Sequence, residues 1–97
     1  MIEIHVDCRN ISARRFARLS TTIDELAASH GLSITMKKPM AKFPGSIHWH
    51  LKKGREQGTL EVTLLPEGRL WFSMHENRSA DWVLAIAREF KRKLEGG

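Results

Sequence analysis

Three consecutive stretches in the middle of the chain alternate apolar and polar residues with a period of two, and this pattern restricts the fold more than any other feature. Ile47, Trp49 and Leu51 alternate with Ser46, His48, His50 and Lys52. Leu60, Val62 and Leu64 alternate with Thr59, Glu61 and Thr63, and Leu70, Phe72 and Met74 with Arg69, Trp71, Ser73 and His75. Successive side chains of a strand point to opposite faces, so each stretch predicts a strand buried on one side, as in antiparallel sheets. Residues 53–58 and the Pro66-Glu67-Gly68 turn join the three as hairpins. Ile2, Ile4 and Val6 predict a strand at the start, and Leu32, Ile34 and Met36 another with those three residues facing inward. Between that strand and Ile47, residues 37–45 contain Pro39, Pro44 and Gly45 and are expected to form a nine-residue loop.

Two segments follow a helical period instead. Phe16, Leu19, Ile23, Leu26 and Ala27 fall on one stripe, which Gly31 ends. Arg14, Arg15 and Arg18 oppose the dipole of an early start, whereas Thr22-Ile23-Asp24-Glu25 has the form of a capping box, so a start near Ser12 and one near Thr22 both fit. Trp82, Val83, Ile86, Phe90 and Leu94 form the second stripe, with Ser79 as N-cap, and a Glu89 to Lys93 pair accounts for part of the basic run at its end. The fold class is therefore α+β: a two-layer α/β sandwich, β-α-β-β-β-β-α, both helices on one face of a mostly antiparallel sheet, within a single domain of residues 1–97. The first two strands are expected to be parallel neighbours, or separated by one strand.

The formal charge of +5 resides in residues 37–58, where Lys37, Lys38, Lys42, Lys52, Lys53 and Arg55 face one acid, Glu56. Pairing Leu51 with Leu60 and Leu64 with Leu70 aligns the outward residues in rows: His48, Thr63, Trp71, then His50, Glu61, Ser73, then Lys52, Thr59, His75. With His5, four histidines and a tryptophan are expected on one open, solvated face. Aromatic side chains on an open sheet stack on unpaired bases while cations follow phosphates. The leading expectation is a small basic module that engages single-stranded RNA or DNA through Lys37, Lys38, Lys42, His48, His50, Lys52, Lys53, Arg55 and Trp71.

The alternative is a protein-interaction or homodimerisation module that docks an acidic partner. A metal or hydrolytic site at His48-x-His50, which His75 or Glu61 could complete, ranks below both: His75 lies two positions along the sheet from His48, no residue is assigned to metal and no cofactor is called for. Catalysis is disfavoured, because the chain has no phosphate loop, HExxH or GxSxG, and a His50–Glu61 pair is more often a stabilising contact than a general base. Cys8 is expected to be structural. The lone cysteine, and the lack of a membrane span or a secretory signal, point to the cytoplasm. No known family is recognised.

Overall fold

A computed structural model describes residues 1–7, 13–75 and 81–96. The element order is β1 (Ile2–Val6), α1 (Ala13–Ser29), β2 (Ser33–Met40), β3 (Phe43–Lys52), β4 (Leu60–Leu64), β5 (Leu70–Met74) and α2 (Asp81–Gly96). The five strands form one sheet of order β1-β5-β4-β3-β2, with every neighbouring pair antiparallel. The expected pairs Leu51↔Leu60 and Leu64↔Leu70 are both present. Contrary to expectation, β1 and β2 lie on opposite edges of the sheet. β1 pairs instead with the last strand, where Ile2, Ile4 and Val6 meet Met74, Phe72 and Leu70 and extend the apolar face.

Both helices cover that apolar face. From α1, Ile23 and Ala27 join a core with Trp49, Leu51, Leu60, Val62, Leu64, Leu70, Phe72 and Met74, and α2 adds Trp82, Val83, Ala87 and Phe90. The Phe90 ring meets Phe72 edge-on at 6.1 Å. Helix α1 runs unbroken through Thr22, whose hydroxyl donates to the Arg18 carbonyl at 2.9 Å rather than capping a new start. At its end Gly31 has φ 69°, Leu32 N–H donates to Ala27 O at 2.9 Å and Gly31 N–H to Ala28 O at 3.1 Å, the two bonds of a Schellman cap. Lys91 of α2 donates to the His5 carbonyl, and Glu95 accepts from Asp7 N–H, so α2 is held to the β1 edge. The Glu89–Lys93 pair forms at 3.7 Å. Cys8 and the Ser79 cap lie outside the described residues. No helix among the described residues is long and apolar enough to cross a membrane.

The expected loop at residues 37–45 is instead the end of a long hairpin, with only Ala41 and Lys42 as its turn. Proline permits this because β2 is an edge strand, where a missing N–H need not break a ladder. Irregularities between Ile34 and Met36, and between Lys38 and Met40, shift the register. Met36 therefore pairs with His50 on the outer face instead of facing inward, Lys37 pairs with Trp49, and Ile34, expected inward, is 40% exposed on the edge strand. Beyond Ile47, strand β3 has left its β4 partner. There Gly45 takes φ 82°, and Phe43 reaches the ring of Trp71, edge-on at 6.3 Å. Since Trp71 belongs to β5, two strands from β3, the hairpin end must lean across the outer face.

The expectation of a solvated face is corrected in part: Ser46, His48, Thr63 and Ser73 are buried on it, whereas His5 and His75 are exposed and His50 and Trp71 half-buried. A Cβ at Gly45 would sit 3.0 Å from Pro66 Cγ, whereas Gly54, with φ 54°, has open space around it. Gly45→Ala is expected to lose about 1–2 kcal/mol for the left-handed backbone and more for the Pro66 contact, Gly54→Ala the backbone part alone. Urea denaturation of the two variants measures the difference. Equal losses would show that the Pro66 contact does not hold the hairpin end.

Candidate metal centre

His48 and His50 sit two residues apart on β3 and so point to the same, outer side of the sheet. Across the β3–β4 ladder His48 faces Thr63 and His50 faces Glu61, which makes Glu61 a diagonal neighbour of His48. Three side-chain atoms converge from these positions. His48 Nε2 lies 3.1 Å from His50 Nε2 and 3.2 Å from Glu61 Oε1. His50 Nε2 lies 3.5 Å from the same oxygen.

The residues around this triangle hold it in place. Thr63 Oγ1 is 2.8 Å from His48 Nδ1. A hydroxyl both donates and accepts, so this one contact serves either tautomer of His48. When Nδ1 carries the proton, Nε2 presents a bare lone pair to the centre of the triangle. Burial pushes the His48 imidazole below the ordinary histidine range, His50 and Lys38 act in the same direction, and Glu61 opposes the shift without cancelling it. The shift favours the neutral ring, the form that can act as a ligand. His75 comes no closer than 4.0 Å to the far oxygen of Glu61 and is largely exposed, so it stands outside the triangle. Among the described residues, every buried side-chain nitrogen and oxygen has a hydrogen-bond partner.

The structure distributes the other residues singled out in the sequence over several places. Lys37 is on the helix side of the sheet, bonded to Asp24 of α1 at 2.8 Å and 5.5 Å from the centre of the Trp49 ring. Lys53 pairs with Glu56 at 3.5 Å. Lys38 lies opposite His48, and Lys52 follows His50 on the same side of β3. Lys42 is at the hairpin tip, 5.9 Å from the Phe43 ring centre, and Arg55 is exposed in the β3–β4 connection. Trp71 is half-buried, with the His5 ring tilted 31° against it at 5.7 Å and Phe43 edge-on, so neighbouring rings already occupy much of its surface.

Direct pairing already sets Thr63 opposite His48 and Glu61 opposite His50, and the contact of Glu61 with His48 adds the diagonal neighbour. Both follow from the register that the sequence predicts. Comparison with known proteins finds no family, curated protein or solved structure that matches this chain. The chemistry of the cluster is therefore read from its geometry.

Thr63→Val keeps the side-chain shape and removes the hydroxyl, leaving His48 Nδ1 buried without its partner. The expected loss is about 1–3 kcal/mol in urea denaturation. A loss within a few tenths would mean that His48 does not depend on Thr63.

Proposed function

We propose that this protein is a small metal-binding module whose ligands are His48 Nε2, His50 Nε2 and a Glu61 carboxylate oxygen. One observation carries the reading: the triangle formed by these three atoms. Zinc bound tetrahedrally at about 2.0–2.1 Å requires ligand atoms roughly 3.3–3.4 Å apart. The separations are 3.1, 3.2 and 3.5 Å. Among the described residues this is the one group of three or more His, Cys, Asp or Glu with metal-ligand geometry, its ligand atoms all within 4.8 Å of one another.

Two imidazoles and a carboxylate suit borderline divalent ions of the first transition row, zinc first among the abundant ones. Three protein ligands leave at least one coordination position for water or an exogenous ligand, in contrast to the closed four-ligand sets of structural zinc. The cluster lies on the face opposite the helices, away from the main core. Folding without metal is thus the expectation, with metal adding stability by linkage.

Single-stranded nucleic acid on the same face is the second reading. It is favoured by Lys38, Lys52 and Arg55, which have no ion-pair partner among the described residues. The packing of Trp71 between His5 and Phe43 weighs against it.

At zinc concentrations about 100-fold above the dissociation constant, linkage stabilises the fold by roughly 2.7 kcal/mol, an increase in melting temperature of roughly 10 °C or more for a chain of this size. His48→Ala and Glu61→Gln should each abolish most of that rise, while His5→Ala, outside the triangle, should leave it intact. An unchanged melting temperature at saturating zinc would sink the metal reading.

A further inference from the structure

Among the described residues, several cations are tied up in ion pairs, and the two beside the triangle are not. Lys37 is tied to Asp24, Lys53 to Glu56, Arg69 to Glu67, Lys91 to Glu95, and Arg92 and Lys93 to Glu89. Lys38 and Lys52 have no ion-pair partner among the described residues. Lys38 lies directly across the β2–β3 ladder from His48. Lys52 follows His50 by two positions on β3, which places it on the same face. A lysine thus neighbours each ligand histidine in the sheet. The His50 side chain is 34% exposed, against 10% for His48, so the centre opens to solvent on the His50 side.

We propose that the open coordination position takes a phosphoryl oxyanion, with Lys38 and Lys52 supplying its remaining counter-charge. This inference rests on the metal reading above. A divalent ion with one carboxylate ligand carries a net positive charge, and two lysines raise it further. A phosphate dianion balances that charge better than a carboxylate monoanion. Its several oxygens would allow one to reach the metal while others meet lysines. Lysine serves phosphate as a compact point charge. The chemistry is the same for free phosphate and for the phosphate of a nucleotide.

Cobalt(II) is the probe for the centre and inorganic phosphate the probe for its open position. Cobalt-loaded protein should change its visible spectrum saturably on addition of phosphate, and should broaden the phosphorus resonance of phosphate in NMR. Acetate should bind at least about tenfold more weakly. Lys38→Gln/Lys52→Gln should hold cobalt within about twofold of the parent protein and lose phosphate affinity by about tenfold or more, the scale expected for losing charged hydrogen bonds.

A nucleoside monophosphate that binds more tightly than inorganic phosphate would assign the oxyanion to a nucleotide, and equal affinities would assign it to phosphate itself. Cobalt bound with a spectrum indifferent to phosphate would overturn this inference and leave the metal centre standing. Phosphate binding unchanged in the double variant would overturn the role of the lysines. Failure of cobalt to bind would remove both the inference and the reading beneath it.

Discussion

The burial of Trp49 is the constraint on which the rest of the structure depends. Its ring is completely enclosed, its indole N–H donates to Asp24 of α1 at 2.9 Å, and Lys37, 5.5 Å from its ring centre, bonds the same carboxylate. Helix, central hairpin and edge strand are thereby fixed to one side chain. In a strand this also fixes the neighbours. A slip of one residue would put Trp49 in solvent and send His48 and His50 into the apolar core. The large free energy of burying an indole thus enforces the outward direction of both imidazoles, and the histidines need no interaction of their own to be held there.

What Trp49 does for direction, the leaning hairpin end does for environment. An open sheet face would leave His48 and Thr63 hydrated, with water competing for each lone pair. The Gly45 bend brings Phe43 to Trp71, and the row beneath becomes a buried polar layer. In such surroundings an unpartnered polar atom is costly and a partnered one is strengthened. This accounts for the close Thr63–His48 contact and for the displacement of His48 toward its neutral form. Trp82 performs a comparable service at the far end of the molecule, where its indole N–H donates to the Gln57 carbonyl at 2.7 Å and ties the β3–β4 connection to α2.

Much of the architecture is legible in the sequence because alternation is a strong constraint when one face is buried. The strands β3, β4 and β5, their register and the core role of Trp49 all follow from it. The strand order is not legible: nothing local distinguishes a β1 that neighbours β2 from one that pairs with β5 across the sheet. The extent of the hairpin is also hidden, since Pro39 and Pro44 carry the usual marks of a loop and only the position of β2 on an edge makes Pro39 compatible with a strand. Residues 37–58 are basic as a sequence, but folding divides them: Lys37 goes to the helix side, Lys53 to a local ion pair, and Lys38 and Lys52 to the histidine face. A count of charges along a chain cannot anticipate that division, because it depends on the two register shifts of β2.

The strongest argument that the triangle is more than packing comes from its most exposed member. His48 is enclosed and must find partners where it lies, and Thr63 alone would satisfy one of its nitrogens. His50 is under no such compulsion. Its side chain is 34% exposed and could turn both nitrogens to water, yet its Nε2 is directed at His48 Nε2 and Glu61 Oε1. Without a cation, protons must mediate among two imidazole nitrogens and a carboxylate oxygen, and a neutral imidazole presents only one N–H. Hydrogen bonds can satisfy parts of such a set in turn. Under the proposed metal binding, a divalent ion would satisfy all three lone pairs at once and at the separations observed.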